Sequence, residues 1–385
     1  MPAFGLDPEQ LTWCAELRAI AAERLRPLAE QGPPGRINRP LVAALGELGL
    51  LRRLFPEDGP VRALDLCLLR ESLAMECTEA ETALALQGLG AYPVVLSGTP
   101  EQRDRWLPGV RAGRAVTAFA LSEEAAGSDA AALTLRAERD GSAGWRLTGE
   151  KCWISNAPEA DVCTVFARTA DGAGARGVTA FLVPADRPGL GGEPLEMLSP
   201  HPIGRYTFDA VPVTRADVLG AVDGGFGVAM RTLNLLRPSV GAFAVGMAQA
   251  ALDAALAHAA ERTAFGGPLK DLQAVSHQLA EMATRTEAAR LLVYAAAAAC
   301  DAGAPDVAKR SAMAKLLATE TAGYVVDAAV QIHGARALRR GHLLEHLYRE
   351  VRAPRIYEGA TEVQRTIIAK ELYRAEELYR EEPHR

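Results

Sequence analysis

Glu358 is the residue whose setting most suggests chemistry. Ile356 and Tyr357 precede it, Gly359 and Ala360 follow, and Thr361 with Gln364 has the spacing of a capping box that would open a helix. A carboxylate held among apolar neighbours is a candidate general base, because burial raises its pKa toward working pH. The dipole of a helix starting just beyond it acts the other way. The sequence leaves that balance open. Three further segments carry groups suited to holding a cofactor or an ester. Residues 120–129 run from an apolar strand into a small-residue loop with Ser122 and Ser128, and residues 149–157 place Trp153 two positions from the hydroxyl of Ser155. Residues 262–269, with Arg262 and Phe265 and followed by Gln273, join two helical stretches. Taken singly, each has a plainer reading as a turn, a core aromatic or an exposed acid.

Two other patterns are set aside. Residues 172–177 fit G-x-G-x-x-G, but that fingerprint works where the loop opens a helix whose N-terminus meets a pyrophosphate. Here the β-rich run Val178 to Val183 follows, so a hairpin loop is expected. His342, Glu345 and His346 fit a zinc-hydrolase spacing, but no clear third ligand accompanies them, and a solvated helix face is expected, with no metal.

The elements that must position these groups read as helices, then strands, then helices. Asp7-Pro8 and Thr99-Pro100, each with Gln three residues after the cap, are helix starts. Helical periodicity also runs through Leu41 to Leu51 and Leu64 to Met75. From about Arg114 to Asp217 short β-rich runs alternate with turn residues: Val116 to Leu121, Trp145 to Thr148, Val162 to Arg168, Val178 to Val183, Thr207 to Phe208. That texture predicts an antiparallel barrel or sandwich. After Gly224 the pattern is helical to the end. Ser239 to Ala260 is apolar almost all round, the signature of a buried bundle helix, and Met313, Leu316, Leu317, Tyr324, Ala328 and Ile332 form a stripe. The expected organisation is α+β and multidomain: an N-terminal helical domain over 1–115, a middle β-domain over 116–225, and a C-terminal helical domain over 226–385.

The 385 residues are 49% hydrophobic, 23% charged and only 5% aromatic, with a formal net charge of −6. This excludes a largely disordered chain and gives no electrostatic reason to expect binding to nucleic acid or a membrane surface. The six cysteines form no C-x-x-C pair. Neither a signal peptide nor an uninterrupted membrane-length apolar run is evident, so a soluble cytoplasmic protein is expected.

Together the four segments, in this order, resemble the acyl-CoA dehydrogenase family over nearly the whole chain. The resemblance implies a C-terminal four-helix bundle, FAD as cofactor, and a homotetramer. It implies that Phe119, Leu121 and Ser122 hold the flavin ring, that Trp153 and Ser155 wall it, and that Arg262, Phe265 and Gln273 reach the FAD of a neighbouring subunit. Gln331, Gly334, Thr361 and Glu362 match further FAD contacts. Ser128, Asn234, Arg237, Tyr357, Gly359 and Lys370 match positions around the substrate. Glu358 matches the catalytic base, which takes the α-proton of an acyl thioester while flavin N5 accepts the β-hydride. One branch of the family carries its base at the position of Leu236, which cannot take a proton.

The chain departs from the pattern at Ala335 and Ala337, where glycine is usual, at Ala360 in place of threonine, and at Glu124-Ala125 in place of Pro-Gly. Residues Phe55 to Leu64 are also shorter than the corresponding family loop. These departures suggest a specialised member rather than a central fatty-acid oxidation enzyme. The expected substrate is an acyl-CoA, or an acyl group on a carrier protein in a biosynthetic pathway, with an electron-transfer flavoprotein as acceptor. A flavin oxidase or monooxygenase, or a cofactor-free binding protein, are the other readings of such a chain.

Overall fold

A computed structural model describes residues 5–57, 61–141, 144–172 and 174–381, with side chains to Arg374. Ala173, inside the glycine pattern, and residues 58–60, inside the short loop, lie outside the described residues. The first helices are α1 (Pro8–Ile20), α2 (Arg26–Ala29), α3 (Arg39–Glu47), α4 (Leu50–Leu54), α5 (Ala63–Glu76), α6 (Thr78–Ser97) and α7 (Pro100–Arg111). Eight strands follow: β1 (Thr117–Ala120), β2 (Arg136–Asp140), β3 (Gly144–Ser155), β4 (Val162–Arg168), β5 (Val178–Pro184), β6 (Leu190–Pro194), β7 (Ile203–Thr214) and β8 (Val218–Leu219). Then come α8 (Gly225–Glu261), a hairpin of β9 (Thr263–Ala264) and β10 (Gly267–Pro268), α9 (Gln273–Asp301), α10 (Val307–His333), α11 (Leu343–Glu350) and α12 (Thr361–Glu381). Both expected capping boxes form, at Asp7 with Gln10 and at Thr99 with Gln102. α6 has almost no amphipathic stripe, and sequence periodicity does not reveal it.

The chain divides into two compact units. One comprises Glu23–Val61 and Glu79–Leu233. Its eight strands form one sheet of order β6-β7-β3-β2-β4-β5-β8, with β1 paired to β4. The expectation of an antiparallel sheet needs correction, because the sheet is mixed. β1 runs parallel to β4 from Thr117 opposite Val162 to Ala120 opposite Val165, and β2 meets β4 in parallel at Arg136 and Arg168. The chain therefore enters β1 and β4 at the same end of the sheet. The inward faces of β3, β4, β5 and β7 bury Trp145, Leu147, Val165, Phe181, Tyr206 and Phe208, and Trp145 meets Phe181 edge to face at 5.5 Å. Within the glycine pattern, Gly174–Gly177 form a single 3-10 turn that leads directly into β5, which pairs antiparallel with β4, so the loop feeds a strand and no α-helix.

The other unit comprises Met1–Ala22, Arg62–Thr78 and Asn234–Arg385. Its core is built from small residues: Ala244, Ala248, Ala251, Ala255, Ala289, Ala314, Ala318 and Ala322 are buried alongside Val293, Val325 and Val326. Close approach explains the composition. A Cβ on Gly246 would lie 2.5 Å from the backbone oxygen of Glu71, and one on Gly241 would lie 2.7 Å from a methyl of Val293. The buried face of α10 is therefore the alanine face. Of the larger apolar stripe read from sequence only Ala328 is fully buried, and Leu317 is 39% exposed. α8 is long and apolar enough to cross a membrane by composition alone, yet 72% of that window is buried inside the protein.

Candidate active site

Glu358 lies in the short loop between a single 3-10 turn, Ala353–Arg355, and α12. Its backbone has φ of +51°, a left-handed conformation that a non-glycine residue adopts at an energetic cost. The loop is held from several directions. Lys315 Nζ donates to the Gly359 carbonyl at 2.7 Å, and Gln364 Nε2 donates to the carbonyls of Gly359 at 2.8 Å and Glu358 at 3.2 Å. Gly359 has φ of +95°, and a Cβ there would lie 2.4 Å from Gln364 Nε2. The expected capping box does not form. The Gln364 amide is turned to these carbonyls, and the Thr361 hydroxyl donates to Glu320 Oε1 at 2.9 Å.

Glu358 retains some exposure as a residue, but its Oε2 is buried with no hydrogen-bond partner. Burial pushes its pKa up, opposed in descending order by the positive charges of Arg70, Lys315 and Arg237. Burial thus outweighs the three cations, and the net shift is upward. The three cations are themselves buried. Arg70 donates to Ser239 Oγ at 2.7 Å and Arg237 to Asn234 Oδ1 at 2.6 Å, while Arg237 Nε is buried without a partner. Burial pushes the Lys315 ammonium down to about 8, against the pull of Glu358. A lone carboxylate oxygen facing inward, with cations around it, can accept a proton from a bound carbon acid and pass back to the anion readily. Arg70 and Lys315 were missed in the sequence. The available signal was a charged residue inside the apolar runs Leu66 to Leu73 and Ala312 to Ala318.

In the β-unit, Phe119 and Leu121 are buried, so their backbone is what they offer a ligand. Cys152 N donates to the Ser122 carbonyl at 3.1 Å, joining the loop after β1 to β3. Trp153 has φ of +63° and is 49% exposed, an indole held out from the sheet with Ser155 beyond it. Ser128 is exposed farther along the loop. Such a half-exposed aromatic wall beside hydroxyls fits a planar heterocycle such as the flavin ring.

The remaining candidates fall elsewhere in the helical unit. Phe265, with φ of +54°, forms the tip of the β9–β10 hairpin and is 93% exposed, between exposed Arg262 and exposed Gln273 at the start of α9. Gly334, at φ of +64° and ψ of −149°, has open space where a Cβ would stand, and Gln331 is exposed one turn earlier. A backbone open on that side admits a phosphate or ribose. Glu362 is exposed beside buried Thr361, whose hydroxyl is already engaged, and Tyr357 is 37% exposed. Lys370 is exposed on α12. It lies nine residues beyond Thr361, about 13 Å along α12 and about 180° around it. The two histidines of the zinc-like spacing are not idle on a solvated face. His342 Nδ1 accepts the Leu344 N–H at 3.1 Å, and His346 pairs with Thr78 Oγ1 at 2.5 Å, while Glu345 pairs with Arg349 at 2.9 Å.

Comparison with known proteins accounts for both units. The chain matches the acyl-CoA dehydrogenase N-terminal domain over residues 7–114, the middle domain over 118–211 and the C-terminal domain over 223–373. It is 35% identical over 378 residues to the probable acyl-CoA dehydrogenase FadE25 of Mycobacterium tuberculosis, covering 96% of this chain and 97% of that one. It is 37% identical over 368 residues to the mitochondrial short-chain specific acyl-CoA dehydrogenase of Bos taurus, covering 93% and 88%. The solved structure of butyryl-CoA dehydrogenase from Megasphaera elsdenii superposes with a TM-score of 0.89 at 31% identity, covering 96% of this chain and 99% of that one. With a carboxylate of raised pKa in the helical unit and an aromatic wall on the β-unit, the chain belongs to the acyl-CoA dehydrogenase family of FAD-dependent oxidoreductases.

Proposed function

We propose that Glu358 is the base in the oxidation of an acyl-CoA thioester to its α,β-enoyl thioester. The observation that carries this is the buried, unpartnered Oε2 of Glu358 on a strained loop beside three cations. Bound FAD supplies the acceptor, at N5, for the hydride that leaves Cβ. The chain's part is to take the α-proton on Oε2, so that the C–H electron pair at Cα becomes the second bond of Cα=Cβ. The α-hydrogen is acidic enough only if the thioester oxygen is stabilised as charge develops on it, and the backbone N–H of Glu358 would be a donor for this. The left-handed backbone at Glu358 turns that N–H and the side chain together, and Lys315 and Gln364 hold the turn through the Gly359 carbonyl.

Trp153 and Ser155, with the backbone and hydroxyl of 119–122, would hold the flavin ring. Arg262, Phe265 and Gln273 would reach the FAD of a neighbouring subunit, and Gln331, Gly334, Thr361 and Glu362 would supply further FAD contacts. Asn234, Arg237, Tyr357, Gly359 and Ser128 border the ester. The fully exposed Phe265 and the exposed Leu338, Ile356 and Leu372 support a homotetramer. Electrons leave to an electron-transfer flavoprotein in the cytoplasm. The test is product analysis. FAD-loaded protein supplied with saturated acyl-CoA esters and an electron-transfer flavoprotein should yield esters lighter by two hydrogens. Flavoprotein that turns over none of a panel varied in length and branching contradicts the reading.

A further inference from the structure

We propose that Glu123 and Lys151 are a positioning pair that fixes the bulge from which Trp153 projects, and so act on FAD binding through the indole without touching the cofactor. The proposal rests on the reading of Trp153 as the wall of the flavin site.

The pair is closed off from water: Lys151 is 0% exposed and Glu123 6%. Lys151 Nζ donates to Glu123 Oε1 at 2.8 Å and to the Leu121 carbonyl at 2.9 Å. The carboxylate also accepts from Leu135 N at 2.9 Å, Thr134 N at 2.6 Å and Thr134 Oγ1 at 2.8 Å. Three chain segments meet here: the loop after β1, the lead into β2, and β3.

What this junction controls is the face on which β3 presents its side chains. Trp145 and Leu147 point into the core, and Arg146 and Thr148 point out. Trp153 lies an even number of residues beyond Leu147, so an unbroken strand would bury it. Instead Lys151 and Cys152 are both buried in succession, Trp153 points out, and Ile154 points in. The register with β7 records the same event. Lys151 faces Tyr206 and Ile154 faces Gly204, so three steps of β3 match two of β7. The phase of the strand reverses immediately after the residue whose ammonium is anchored.

A buried ion pair is a poor way to gain stability, since apolar side chains of similar volume do as well or better. Its directional bonds are suited to holding one register against slippage. Here the bond to the Leu121 carbonyl and the neighbouring bond from Cys152 N to the Ser122 carbonyl together tie the hydroxyl loop to the bulge.

Stability and position separate in the variants Lys151→Met, Glu123→Gln and the double variant. Each is measured for apoprotein Tm, for FAD affinity by titration of apoprotein, and for acrylamide quenching of Trp153, read as the difference from a Trp153→Phe partner. Lys151→Met should lower Tm, weaken FAD about tenfold, the equivalent of one directional hydrogen bond, and alter Trp153 quenching. The double variant should regain much of the lost Tm while keeping the weakened affinity and the altered quenching. FAD affinity and quenching that return to wild type along with Tm would show the pair to be structural only and overturn the proposal. If a single variant does not fold, the double variant decides by the same two readouts. Trp153→Ala binding FAD with unchanged affinity and spectrum would remove the wall reading instead, and apoprotein quenching would still judge whether the pair sets the indole.

Discussion

At the scale of single residues, the site turns on a carboxylate whose pKa is set by opposing effects. Burial raises Glu358, and Arg70, Lys315 and Arg237 restrain it. A base must be deprotonated to act, so kcat/KM should fall as pH drops through this raised pKa. Lys315→Met removes one restraining cation and should move that acid limb to higher pH by on the order of one unit. The Gly359 carbonyl keeps its bond from Gln364, so the loop retains a tether in this variant. An unmoved limb would mean that Lys315 does not act on Glu358. Gly359→Ala tests the loop itself. It forces a side chain into φ of +95° and against the Gln364 amide, and should cost about 1–3 kcal/mol. Thermal unfolding would show this as a lower Tm, and flavin bleaching by substrate should be weakened with it.

At the scale of elements, two features shape the units that carry the candidate residues: the phase reversal in β3 and close helix contacts in the helical unit. Gly246→Ala would press a methyl onto the Glu71 carbonyl and should destabilise the protein by about 1–3 kcal/mol, measurable by calorimetry. A Tm equal to wild type would contradict the close contact between α8 and α5. Much of this level was legible in the sequence. The capping boxes at Asp7 and Thr99 and strands β4 and β5 follow from local rules, because their signals are short-range. The parallel pairing of β1 with β4 was not legible, since register between distant strands leaves no periodic trace in either. Nor was the buried face of α10, where alanines approach closely and most of the larger stripe is only half-buried. The Thr361–Gln364 spacing misled for a related reason, as its polar groups satisfy partners beyond the local turn. Glu358 was marked by its apolar neighbours, and its reading as the base came from the family resemblance. Arg70, Lys315 and the Lys151–Glu123 pair were not so marked, because their importance comes from where the fold sends them.

At the scale of the whole molecule, an aromatic-poor, alanine-rich chain packs one helical unit closely and leaves large apolar side chains outside. Light scattering of the FAD-loaded protein should give about four times the protomer mass, and a monomer would contradict the assembly. Phe265→Ala removes a side chain that is 93% exposed in the single chain, so the fold of the chain should persist while FAD affinity falls. Unchanged affinity would remove the hairpin tip from the cofactor site. The most direct test of the central claim is an anaerobic titration of the FAD-loaded protein with its preferred acyl-CoA, followed by flavin absorbance, for wild type and Glu358→Gln. The account predicts bleaching in wild type and, in Glu358→Gln, retained FAD and bound ester with no bleaching on the same timescale. Bleaching of Glu358→Gln at the wild-type rate would show that another group takes the proton.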